Sequence, residues 1–92
     1  MNTYDEVISF ISDNNLQLKY HLERIGLFGS ILNKDNPQDI DVLIESYSDH
    51  KDLIKFQDEL ENATGKSVDL VIEKYASPII LHRAKRNITY VS

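Results

Sequence analysis

Ile25-Gly26-Leu27-Phe28-Gly29-Ser30, followed after eight residues by Asp39-Ile40-Asp41-Val42-Leu43-Ile44, decides how the rest of the chain is read. The first four residues are a short apolar run of strand character. They end in Gly29-Ser30, a small-residue turn of the kind that lets backbone approach a phosphate. In the second segment Asp39 and Asp41 alternate with Ile40 and Val42. A strand there puts both carboxylates on one face and the aliphatics on the other. A phosphate cradle beside paired carboxylates is the equipment of metal-dependent phosphoryl chemistry.

A third segment repeats the pattern. In Ser67 to Glu73, Val68, Leu70 and Ile72 share one face, with Asp69 and Val71 on the other. If this strand neighbours the second, Asp39, Asp41 and Asp69 converge on one face. Three carboxylates together are costly unless a cation compensates them. Mg²⁺, which takes oxygen ligands and keeps waters and phosphate oxygens in its shell, is the natural cation, and two such ions can clamp an in-line displacement. Each piece also has a plainer reading. Asp-x-Asp on a strand is more often a solvated face, and Gly-Ser is a common turn. The order and strand placement of all the pieces together favour the site.

Around these segments the chain reads as helix, strand, strand, helix, strand, helix and a short terminal strand. Thr3 and Glu6 form a capping-box pair before a helix whose face carries Tyr4, Val7, Ile8 and Ile11. Asp13-Asn14-Asn15 ends it, and the Leu18 to Leu22 step predicts a short second helix. Ser48-Asp49 caps a helix reaching about Thr64, with Leu53, Phe56, Leu60 and Ala63 as its apolar stripe and Gly65 as its stop. Ser77-Pro78 opens a last helix with Ile80, Leu81 and Ala84 inward, and Ile88 to Val91 alternates as a strand. The short link between the first two strands predicts an antiparallel pair, and the helix before the third permits a parallel crossover. The expected architecture is α/β (α+β): a small mixed sheet with helices mainly on one face, in one domain over residues 1–92.

Composition narrows the classes. The chain has 92 residues, 41% apolar, with no Cys, which excludes disulfides and Cys-ligated zinc. A net charge of −5 argues against direct nucleic-acid binding and suits a metal or a basic partner. Met1 to Glu6 lacks the basic and apolar regions of a signal peptide, and no apolar run spans a bilayer, so a cytoplasmic protein without membrane attachment is expected. His21, His50 and His82 have no ligand-like spacing. Arg83-Lys85-Arg86 reads first as a helix end whose cations suit the dipole, and second as a phosphate or acidic-partner contact. The five tyrosines read as core or rim residues.

On Arg24-Ile25-Gly26-Leu27-Phe28-Gly29-Ser30, Asp39-Ile40-Asp41-Val42-Leu43-Ile44-Glu45, Val68-Asp69-Leu70-Val71, Lys19-Tyr20 and Ser77-Pro78, nearly the whole chain resembles the minimal nucleotidyltransferase (MNT) family of the DNA-polymerase-β-like superfamily. The resemblance implies a polymerase-β-like nucleotidyltransferase palm. It implies transfer of a nucleoside monophosphate, AMP from ATP, to an acceptor hydroxyl with release of pyrophosphate. Gly29 and Ser30 match the turn that holds the β- and γ-phosphates. Asp39 and Asp41 match the carboxylates that bind both metals, and Asp69 the third, which binds the catalytic metal and helps deprotonate the acceptor. Stand-alone members are often antitoxins paired with a HEPN-domain ribonuclease, and resemble enzymes that place AMP on a toxin tyrosine. Where many members carry an Ala-Arg-Gly-like stretch, this chain has Ile31-Leu32-Asn33-Lys34. Lys34 offers a point charge on the triphosphate without arginine's fork. A chain this short needs its partner, or a second copy as a homo-oligomer, to complete the site. The rival expectations are a non-catalytic antitoxin that occludes its partner, and a structural domain with an acidic sheet face.

Overall fold

The computed structural model describes residues 4–29 and 39–91. Helix α1 spans Tyr4–Asp13, and the short α2 spans Leu16–Lys19. Strands β1, Ile25–Phe28, and β2, Asp39–Ile44, follow. Helix α3, His50–Thr64, leads to β3, Ser67–Ile72; a 3₁₀ turn at Glu73–Tyr75, helix α4 at Pro78–Lys85 and β4 at Thr89–Tyr90 complete the described elements.

The four strands form one sheet in the order β3-β2-β1-β4. β1 runs antiparallel to β2 and to β4, while β2 and β3 are parallel. The α3 crossover makes that parallel pair possible, because parallel neighbours need a long connection. The mixed sheet and its antiparallel first pair are as the short link between the first two strands and the helix before the third predict.

One sheet face carries the main core. Ile25 and Leu27 from β1, Ile40, Val42 and Ile44 from β2, and Val68 from β3 pack with Val7, Ile11 and Leu16, and with Leu53, Phe56 and Leu60 of α3. Period-2 strands meeting period-3.6 helices produce this layer, since each buries its one apolar side. Asp49 accepts a hydrogen bond from Lys51 N–H at the start of α3, and Gly65, at φ 70°, closes its end. Ser77 caps α4 by accepting from Ile80 N–H at 3.3 Å.

The second face is apolar in part. Leu43 is fully buried there but lies outside the main core. Its register partner is Gly26, where a Cβ would come within 2.6 Å of Ile88 Cδ1. Gly26 is therefore small because Ile88 lies over it.

Several expectations need correction. The short second helix covers Leu16–Lys19, starting two residues before Leu18 and ending three before Leu22, and Leu16 is the residue it buries. Leu18 is 75% exposed, whereas Leu22 sits in an isolated bridge with Tyr47. Ile80 is 47% exposed rather than inward, and Ala84 is the buried residue of α4. Tyr75 is likewise exposed, on the 3₁₀ turn, and belongs to neither core nor rim. The Thr3 half of the predicted capping box lies outside the described residues. No helix among the described residues is long and apolar enough to cross a membrane.

Candidate active site

The site is built where β1 ends and β2 begins. Ile40 and Val42 are drawn into the core, so the pleat turns Asp39 and Asp41 to the opposite face. On β3, Val68 is likewise buried and Asp69 faces away from it. The parallel register sets Asp41 directly beside Asp69 and Asp39 beside Ser67. Leu43 follows Asp41 on the same face, so the carboxylates are rooted on an apolar floor. Asp39 and Asp69 are exposed, and Asp41 is half-buried.

Phe28, the last residue of β1, is the register partner of Asp41. The chain then turns at Gly29, which takes φ 79°. A Cβ there would stand 2.3 Å from Asp41 Oδ2 and 3.2 Å from its Cγ. Two demands therefore coincide at Gly29: a left-handed backbone and an empty place for the neighbouring carboxylate. The turn and the second strand, separate motifs in the chain, are in contact here.

The structure thus brings Gly29, Asp41 and Asp69 together, with Asp39 one pleat along the same face. The expected convergence of three carboxylates is looser than the spacing implies. Among the described residues no group of three His, Cys, Asp or Glu side chains is gathered closely enough to hold a metal ion. The register accounts for part of this, because Asp39 is aligned with Ser67 and not with Asp69. Ser30 and Lys34, the other expected nucleotide contacts, lie outside the described residues.

Several other charged groups have partners of their own. Lys85 pairs with Glu73, and this hydrogen bond raises the lysine above its ordinary pKa. Arg24 stacks its guanidinium 3.6 Å from the centroid of the Tyr90 ring. Tyr20 donates to Glu59, which also accepts from Lys19 at 3.0 Å. The Tyr20 bond, then the Lys19 bond, holds the Glu59 carboxyl below its usual range, and the bond to Glu59 raises the Tyr20 phenol. Two contacts to the site strand were not visible in the sequence. Glu61 accepts from Val68 N–H at 2.9 Å, and Gln57 donates to Val68 C=O at 2.7 Å. Their four-residue spacing on α3 was the one available signal.

A left-handed glycine turn against a strand carboxylate, with a second carboxylate in register on a parallel neighbour, defines a nucleotidyltransferase-type palm. The chain belongs to the polymerase beta nucleotidyltransferase family, whose profile matches residues 7–91. No curated protein matches it. Among solved structures it is similar to a chain of the tri-AMPylated Shewanella oneidensis HEPN toxin in complex with MNT antitoxin. That match has 22% identity and TM-score 0.70, and covers 96% of this chain and 71% of the other. A chain of a toxin–antitoxin structure with AMP-PNP matches at 22% identity and TM-score 0.69, covering 88% and 70%. A structure described as a minimal nucleotidyltransferase matches at 21% identity and TM-score 0.66, covering 91% and 92%. At these identities the likeness is one of fold.

Proposed function

We propose that this chain is a metal-dependent nucleotidyltransferase that moves AMP from ATP to an acceptor hydroxyl. We further propose that the acceptor is a tyrosine of a HEPN-type toxin, for which the chain acts as cytoplasmic antitoxin. The observation that carries the reading is the register of Asp41 with Asp69, beside a Gly29 turn that leaves room at the Asp41 carboxylate. The MNT–HEPN complex with an AMPylated toxin and the toxin–antitoxin structure with AMP-PNP support the choice of nucleotide and partner.

The residues suit Mg²⁺: every donor is a carboxylate oxygen, all lie on one face, and two are in adjacent register. Asp41 and Asp69, in adjacent register, would hold it first, and Asp39, one pleat along the same face, would have to draw in to complete the set. When bound, it neutralises the triphosphate and acidifies the acceptor hydroxyl. Gly29 and Ser30 offer backbone to the β- and γ-phosphates, with Lys34 as an added charge. Asp69 takes the proton of the acceptor hydroxyl as its oxygen bonds to the α-phosphorus. The bond from that phosphorus to the bridging oxygen breaks, and pyrophosphate leaves. Catalysis of this kind is mainly positioning and charge compensation. The HEPN partner, or a second copy, closes the acceptor side.

One sequence feature favours a second reading, a binding antitoxin without turnover: Ile31-Leu32-Asn33-Lys34 stands where an arginine-bearing stretch is common. Labelled ATP, Mg²⁺ and a co-purified HEPN partner separate the two readings when the Asp39→Asn/Asp41→Asn variant is run alongside. Transfer by the unaltered chain but not by the variant supports the enzyme. Equal partner binding by both, with no transfer, leaves the binding subunit.

A further inference from the structure

β3 is an edge strand, so one side of its backbone has no neighbouring strand. At Val68 that side is occupied by α3. Glu61 Oε2 accepts the Val68 N–H at 2.9 Å, and Gln57 Nε2 donates to the Val68 carbonyl at 2.7 Å. Both groups of one residue are thereby held by side chains one helical turn apart. Peptide groups alternate in direction along a strand, so with Val68 turned to α3, Asp69 turns its own N–H and C=O toward β2. Its register partner there is Asp41. Val68 itself is buried, which fixes the pleat, and the two α3 side chains fix the strand along its length.

We infer that Glu61 and Gln57 are positioning residues for the candidate site: they clamp the Val68 peptide groups and so set the distance of the Asp69 carboxylate from Asp41. The inference rests on the proposed metal–nucleotide reading of Asp39, Asp41 and Asp69. The pair acts through the backbone and touches neither nucleotide nor acceptor. It also blocks the open edge of β3 at the position where another strand could otherwise add and pull Asp69 away. A ligand's supporting shell commonly controls metal affinity this way, through orientation and without direct contact.

The test uses the full chain with Mn²⁺ and AMP-PNP, followed by calorimetry, thermal melting and amide hydrogen exchange at Val68. Glu61→Ala and Gln57→Ala are compared with Glu61→Gln, whose amide oxygen can still accept the Val68 N–H. The expected result is about a 10-fold rise in the Mn²⁺ concentration needed for AMP-PNP binding in each alanine variant. Glu61→Gln should stay within about twofold of the unaltered chain, because the acceptor is retained. Val68 exchange should be faster in Glu61→Ala alone of the two Glu61 variants. A merely structural role would lower the melting temperature of the alanine variants and leave their metal dependence unchanged, and that result overturns the inference. If Glu61→Ala does not fold, Gln57→Ala decides by the same comparison. If the unaltered chain shows no metal-dependent AMP-PNP binding, or Asp69→Asn binds as it does, the reading of the site itself falls and the inference with it.

Discussion

A Cβ placed on Gly29 would lie 2.3 Å from Oδ2 of Asp41. The turn after β1 and the second carboxylate of β2 are thus neighbours, and a larger residue at the turn must push the Asp41 carboxylate aside. Gly65 is the useful contrast: its φ is 70°, yet a Cβ there would meet nothing within 4 Å. Gly29→Ala and Gly65→Ala should each lose about 1–2 kcal/mol from the left-handed backbone. Only Gly29→Ala should also displace Asp41, reducing AMP transfer by about 100-fold while Gly65→Ala stays within about twofold, since a misplacement near 1 Å is worth that much. Melting curves and transfer rates on the two variants check this.

Asp69→Asn should separate stability from activity. Asp69 is exposed and stands in register with Asp41, so two like charges face each other across adjacent strands. Removing one relieves repulsion of a few tenths of a kcal/mol. Without bound metal, the melting temperature should hold or rise slightly, and transfer should fall at least 100-fold on the ordinary scale for a lost catalytic base.

Gly26 tests the packing of the second face. Its missing Cβ would fall 2.6 Å from Ile88 Cδ1 and 2.8 Å from Ile88 Cγ1. Gly26→Ala should cost about 1–3 kcal/mol by overpacking. Ile88→Val in the same chain should recover part of that loss. A double-mutant cycle by chemical denaturation measures the coupling; additive effects would mean that the two residues do not meet.

The Tyr20–Glu59–Lys19 cluster sets a pH dependence with a definite sign. Glu59 is held below its ordinary pKa, first by Tyr20 and then by Lys19, so its contribution is present above the usual carboxylate pKa. It is lost as pH falls through the lower folded value. Tyr20 and Lys19 are raised, so their share is present at neutral pH and is lost as pH climbs through their raised values. Tyr20→Phe should cost about 1 kcal/mol at neutral pH and flatten both limbs of the stability profile. Denaturation midpoints from acid to alkaline pH provide the check.

These cases also show what could be read from residues alone. Strand β1 was legible as the short apolar run Ile25 to Phe28, and β2 and β3 because apolar and polar residues alternate in Asp39-Ile40-Asp41-Val42 and Ser67-Val68-Asp69-Leu70, where burial followed that alternation. The ends of α3 were legible because Asp49 and Gly65 have local capping chemistry. The contact of Gly29 with Asp41 was not, since it arises only when β1 and β2 pair in one register. Nor was the Val68 clamp, because Gln57 and Glu61 lie outside the Leu53–Phe56–Leu60 stripe and nothing local ties them to β3. Ile80 misled because α4 is too short to bury a full stripe; Ala84 takes the contact. That β2 and β3 are neighbours with their carboxylates on one face was expected; that Asp41 stands in register with Asp69 and Asp39 with Ser67 depended on the exact alignment.

The central claim is that AMP passes from ATP to a protein hydroxyl at Asp41 and Asp69. The most direct measurement incubates the chain with its HEPN-type partner and Mg²⁺, using ATP labelled at the α- or the γ-phosphate. The account predicts that α-label enters the partner, γ-label appears only in pyrophosphate, and Asp69→Asn abolishes both while still binding the partner. Partner binding with no label transferred, or transfer of the γ-label, would contradict it.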